Sequence, residues 1–226
     1  MKGKLPPLDG SVRHLVRIAA AIAGADEVQT RKVMEAAVGT VKAEEVDEII
    51  LQSYLFAGFP RTLNAARSWR AISGTSAPVF DRPAEMKNGA EWEKQGERTC
   101  EIVYGESYQL LRENIRKLHP ALDTWMITDG YGKVLSRPQL DLKLRELCIV
   151  SACAATGQQR QLHSHLHGAL NSGVSVETLS AVLDALASIV GEAELAKCRS
   201  LLNHVVSKRH PPAGSAGPQG KKGTGA

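Results

Sequence analysis

Three of the chain's seven histidines, His163, His165 and His167, stand at alternate positions within the stretch Gln158–Gly173. Histidine changes charge closest to neutral pH, so such a cluster is the first place to look for acid–base or metal chemistry. On a strand all three rings would point one way; on a helix only His163 and His167, four residues apart, converge. Two histidines need at least one more ligand, and neither His-Glu-x-x-His nor another acidic spacing is present, so the pattern predicts no metal site. His163 and His167 then read as solvated surface histidines. His165 belongs to a different stripe, Gln158, Gln161, His165 and Gly168, beside the apolar stripe Leu162, Leu166, Ala169 and Leu170. Gly168-Ala169 predicts close approach of a second helix, which places His165 near a helix–helix contact with two amides beside it. On the preceding helix Glu146 is in register with Ile149, Val150 and Cys153, an apolar face. A carboxylate there is a candidate catalytic group, because burial disfavours the charged form. Its alternative is a structural ion pair with a nearby arginine or helix end.

Other chemistries lack their residues. There is no Gly-x-Ser-x-Gly elbow and no glycine-rich phosphate loop, and Cys100, Cys148, Cys153 and Cys198 show no paired spacing. The cysteines read as reduced, mostly buried thiols of a cytoplasmic protein. The formal charge of +4 resides in the segment from Lys208 onward, which carries Lys208, Arg209, Lys221 and Lys222 and no acid. The remaining body is neutral, unlike a nucleic-acid binder with its basic patch on folded elements. No run approaches eighteen apolar residues, and Met1–Pro7 has no apolar run after its charges, so neither a membrane span nor a signal peptide is expected.

The elements that must position these residues are helices. Alanine and leucine dominate the apolar set, aromatics are only 4% of residues, and no convincing strand pattern exists, so the fold class is all-α. Helical periodicity predicts helices near 11–23, 26–38, 43–57, 60–73, 101–117, 119–129, 139–156, 158–172, 175–190 and 191–208. Gly24, Gly39, Gly58-Phe59-Pro60 and Gly130-Tyr131-Gly132 read as the breaks. The division expected is an N-terminal tail (1–10), a shortened helical unit (11–75), a linker (76–96), a complete unit (97–208) and a disordered basic tail (209–226). Shifting Arg13–Val38 by about 132 residues lays it on Arg145–Leu170 without a gap, and both copies continue in the same order of elements, which argues for an internal duplication.

At this point the chain resembles the carboxymuconolactone decarboxylase family of the alkylhydroperoxidase D superfamily. The resemblance lies in Gly132 through Arg137-Pro138-Gln139-Leu140-Asp141, in Arg145-Glu146-Leu147, in Gln161-Leu162-x-x-His165, and in Ala169-Leu170-Asn171-x-Gly173-Val174. It covers about Gly96–Ser207 as one unit. Residues 11–73 resemble a shortened second unit, with Tyr54-x-x-Ala57-Gly58-Phe59-Pro60 and Asn64-Ala65. The thiol branch of the superfamily carries two cysteines where this chain has Gln158 and Gln161, and glutamine forms neither thiolate nor disulfide.

The resemblance therefore implies the decarboxylase branch, a fold of orthogonal helices, and a cofactor-independent enzyme acting on a small carboxylated lactone or related acid. It implies His165 as proton donor, Glu146 orienting it, Gln161 and Gln158 as neutral partners, and Arg137 or Arg145 gripping a carboxylate. Partners implied are the small carboxylate or lactone and further copies of the chain, as a trimer forming a pseudo-hexameric ring. No nucleic acid or membrane partner is expected. The alternative is a catalytically degenerate scaffold or small-acid-binding protein. In the first unit Val33 stands where His165 would fall, flanked by Arg31 and Glu35, whereas Tyr54 and Phe59 lack counterparts in the second. Either Tyr54 and Phe59 wall a composite pocket around His165, or their segment is a helix–turn–helix packing motif.

Overall fold

Asp9 opens the first helix. Its carboxylate accepts from the backbone amides of Ser11 and Val12, two donors that a helix start leaves without partners. The computed structural model describes residues 8–79, 81 and 88–209. Helix α1 spans Gly10–Gly24, and α2, capped by Asp26, spans Glu27–Glu35. Helix α3 covers Ala43–Ser73 and bends at Gly58, whose φ of 76° and ψ of 165° suit only glycine, with Pro60 just beyond. The break expected at Gly58-Phe59-Pro60 is thus present, as a kink at which two helical stretches meet.

The expected linker 76–96 is corrected at its C-terminal end, because α4 (Gly89–Tyr104) starts well before 97. A capping box starts it: Asn88 accepts from the amides of Ala90 and Glu91, and Glu91 reaches back to the Asn88 amide. Its first two turns, residues 89–96, carry only Ala90 and Trp92 as apolar residues, because the helix packs there through glycine. A Cβ at Gly96 would come 2.0 Å from the Ile127 carbonyl oxygen, and one at Gly132 would come 2.0 Å from that of Trp92. Backbone rather than side chains fills that seam.

A short 3-10 turn, Gly105–Ser107, leads into α5 (Tyr108–Leu118) and α6 (Pro120–Trp125). The chain then continues as a π-helical segment, Met126–Leu135. Gly130-Tyr131-Gly132, expected as a turn, lies inside that segment. Four helices follow: α7 (Leu142–Ala155), α8 (Gln159–Asn171), α9 (Val176–Ala185) and α10 (Glu192–Arg209). Among the described residues there is no strand, and the fold is all-α. No helix of these residues is long and apolar enough to cross a membrane. Of the expected tails, residues 1–7 and 210–226 lie outside the described residues.

The core is built on α1 and α7, which pack against each other and are buried along most of their lengths. They approach closely at Gly24, where a Cβ would meet the Ala155 carbonyl oxygen at 2.6 Å. One apolar cluster runs from Leu15 to Val205, so residues 10–73 and 89–209 share a single core. Each Leu or Ile side chain buried there contributes about 1.5–3 kcal/mol, so this seam is a major source of cohesion.

Candidate active site

Glu146 and His165 are carried on neighbouring helices whose connection fixes how they meet. Helix α7 closes at Gly157, which has φ of +66°, with the Gln158 amide bonding the Cys153 carbonyl and the Gly157 amide the Ala154 carbonyl. This is a Schellman closure, which needs a left-handed residue and turns the chain straight into α8. Gly173, with φ of +88°, ends α8 in the same manner, through Val174 to Ala169 and Gly173 to Leu170. Two short glycine stops therefore set α8 across α7.

The result is a buried dyad. His165 Nδ1 lies 2.9 Å from Glu146 Oε2; Glu146 is fully buried and His165 is 6% exposed. The second carboxylate oxygen, Oε1, is buried without a hydrogen-bond partner. Nδ1 is thus occupied by the carboxylate, and Nε2 is the ring nitrogen left for chemistry. The edge-on ring of Phe56, 5.9 Å away between centroids, packs against the imidazole. Gly168, one turn along α8, makes room for the carboxylate: a Cβ there would sit 2.7 Å from Glu146 Oε2 and 2.6 Å from Val103 Cγ1. The close approach expected at Gly168 is real, and one of its partners is the catalytic candidate itself.

His165 lines a cavity of about 660 Å³. Its walls are mainly apolar, including Leu55, Phe56, Leu111, Trp125, Met126 and Leu135. Its polar lining includes Tyr54, Tyr104, Asp129, Tyr131, Arg160 and Gln161. Tyr104 shares hydrogen bonds with Tyr131 and with Ser164 on α8; burial pushes the Tyr104 hydroxyl up to about 12, and Tyr131 well above its ordinary value. Burial also raises Tyr54, helped by the charge of Asp129. All three phenols are therefore protonated donors at neutral pH.

The expected site residues do not all converge. His165, Glu146 and Gln161 come together, with Gln161 on the cavity wall. Gln158 is exposed at the start of α8 and is not among the lining residues. The gripping role expected of Arg137 and Arg145 does not fit their placement, because Glu48 of α3 holds both. Arg137 donates to Glu48 at 2.8–3.1 Å and to Asp81 at 3.0 Å. Arg145, fully buried, donates to Glu48 Oε2 at 2.7 Å and to Gln52 Oε1 at 3.3 Å. Neither arginine is among the residues lining the cavity at His165.

Tyr54 does line this cavity, but the residue packed on His165 is Phe56, whereas Phe59, an exposed residue, stacks on Tyr54. In the first half Arg31 and Glu35 form a surface ion pair of 2.9 Å around Val33. Sequence reasoning did not single out Tyr104, Phe56, Asp129 or Arg160. The available signal was the aromatic pair Tyr104 and Tyr131 in a chain poor in aromatics.

Thiol chemistry finds no support from the cysteines. All four are buried, with burial pushing Cys100 and Cys153 up to about 12 and Cys148 higher still. Among the described residues no three His, Cys, Asp or Glu side chains converge to hold a metal ion.

Comparison with known proteins agrees with this frame. The chain is 31% identical over 135 residues to "Peroxisomal protein 2" of Schizosaccharomyces pombe, a match covering 58% of this chain and 61% of that protein. It is 24% identical over 160 residues to "Peroxisomal protein 2" of Saccharomyces cerevisiae, covering 60% and 56% respectively. The chain thus spans less than two thirds of the length of these curated relatives. The profile of the carboxymuconolactone decarboxylase family matches residues 121–203. That segment supplies Tyr131, Glu146, Arg160, Gln161 and His165, and it carries a decarboxylase-like or alkylhydroperoxidase D-like scaffold. The likeness to the carboxymuconolactone decarboxylase family thus lies in the segment that holds both Glu146 and His165.

Proposed function

We propose that this chain is a cofactor-independent acid–base enzyme of the carboxy-lyase type, acting on a small carboxylated lactone or a related acid. The observation that supports it most is the His165–Glu146 contact of 2.9 Å, buried at the wall of a cavity large enough for such a molecule. In the reaction the bond between the carboxyl carbon and its neighbour breaks. Its electron pair moves through the adjoining double bond to the lactone carbonyl oxygen, and carbon dioxide leaves. The His165 imidazolium returns a proton from Nε2 to carbon while Glu146 holds Nδ1. Arg160, a cation on the cavity wall, takes the carboxylate-binding role, and the protonated phenols of Tyr104 and Tyr131 are donors for the developing enolate oxygen.

The apolar wall contributed by Tyr54, Leu55 and Phe56 comes from α3, which supports the reading of a composite site across the two halves. Assembly as a trimer is part of the same reading, and sedimentation tests it. The names of the two yeast relatives favour a peroxisomal setting over the cytoplasmic one that reduced cysteines suggest; imaging of the tagged chain decides between them.

The test is a screen of small lactone and keto acids for ligand-induced thermal stabilisation, followed by carbon dioxide release. A stabilising acid whose decarboxylation is lost in His165→Ala supports the proposal. Full turnover by His165→Ala refutes it. The second reading, a protein that binds such acids without reacting, draws on the capture of Arg137 and Arg145 by Glu48. Stabilisation without carbon dioxide release would favour it.

A further inference from the structure

A second cavity, of about 750 Å³, adjoins the one at His165. Tyr104, Leu111 and Ser164 line both, so no more than side chains separate the two spaces. Their characters differ. The first is mainly apolar; the second is faced by His163, His167, Arg209, Asn114 and Asn171, with Glu106 as its acid. The imidazoles of His163 and His167 stand 4.9 Å apart between centroids.

Arg209 is built in rather than dangling. Its Nε donates to His167 Nδ1 at 3.3 Å, and its Nη2 to the His167 carbonyl at 3.4 Å and to Asn171 Oδ1. Asn171 is itself fixed by donating to the Val103 carbonyl at 2.7 Å. All of these acceptors are neutral, and among the described residues no carboxylate pairs with Arg209. Burial, then the charges of His163, Arg209 and His204, hold His167 below its ordinary value, as expected where positive groups face one another uncompensated.

We propose that the second cavity is an anion subsite and that the two cavities together take an amphipathic anion, its head on Arg209, His163 and His167 and its apolar body along Leu111 toward Phe56. This deepens the functional reading above by naming the substrate as a long molecule with an anionic handle remote from the reacting end. Phosphate and carboxylate heads satisfy the same donors, with the guanidinium matching either.

The experiment is calorimetric titration of the full chain with octyl phosphate, octanoate, octanol and inorganic phosphate. Variants are Arg209→Gln, Arg209→Lys, and His163→Gln with His167→Gln, each checked for an unchanged melting temperature. The expected result is that an octyl anion binds more tightly than octanol. Arg209→Gln should weaken it by about tenfold or more, the paired histidine variant should weaken it too, and Arg209→Lys should restore part. The better of octyl phosphate and octanoate identifies the head group. Inorganic phosphate should bind more weakly than octyl phosphate, because it leaves the apolar cavity empty. An octyl anion that binds through Arg209 while no acid releases carbon dioxide would leave this proposal standing although the catalytic reading fails. Equal binding of anion and alcohol, or of parent and both Arg209 and histidine variants, overturns it.

Discussion

Gly168 and Glu146 are matched to each other: any Cβ at 168 would lie 2.7 Å from the Glu146 Oε2 that holds His165. Gly168→Ala should therefore push the carboxylate off the imidazole. The expected cost is about 1–3 kcal/mol of stability from overpacking, together with a loss of turnover larger than that of an alanine elsewhere on α8. Denaturant melts and kinetics on the same variant check both.

His165→Asn and Glu146→Gln should separate the two roles. Losing a general acid typically costs about 10²–10⁴ in rate, so His165→Asn should fall in that range. Glu146→Gln keeps the shape and one hydrogen bond but not the charge, and should retain more activity than His165→Asn. If Glu146→Gln proves the more damaging, the roles assigned to the pair are wrong.

The Glu48 cluster should dominate acid sensitivity. Burial alone would raise this carboxyl, but hydrogen bonds and charge from Arg137 and Arg145 outweigh it and hold the group below its ordinary value of 4.5. A depressed carboxyl stabilises the fold fully above its unfolded value and loses that contribution as pH falls through the folded one. Melting temperature should thus drop as pH falls below about 4.5. Glu48→Gln should destabilise by about 3–5 kcal/mol at neutral pH, because it leaves buried guanidinium groups uncompensated, and should flatten the acid limb. An unchanged acid limb would point to other carboxylates.

Native thiols should be inert. With Cys100 and Cys153 pushed up to about 12 and Cys148 beyond, a disulfide reagent at neutral pH should find no fast thiol and should reach all four only after unfolding. Rapid labelling of a single native cysteine would contradict the burial described.

The helices were legible from period, whereas the pairing of Glu146 with His165 was implied by the family resemblance. Apolar spacing marks α1, α7 and α8, and the register of Glu146 and of His165 on their helices places each at a contact. The start of α4 was not legible, because the stretch 89–96 offers only Ala90 and Trp92 as apolar residues and packs through Gly96 against the Ile127 carbonyl oxygen. The fate of Arg137 and Arg145 was hidden for a different reason: the partner, Glu48, lies 89 and 97 residues away, and no local spacing announces a contact of that range. The aromatic wall from α3 was half visible, since the Tyr54 segment drew notice but the bend at Gly58 decides that Phe56, not Phe59, reaches the imidazole.

Glu48 also has a consequence for ancestry. It ties α3 to Arg137 and to α7, while α1 lies along α7 in the common core. Heredity and cooperativity thus divide this chain differently: the family's signature ends at residues 121 and 203, but the cooperative body that melts does not respect those bounds. A cut at either edge of that signature would part side chains that share one apolar core, so the excised segment would expose surface that the rest of the chain now covers.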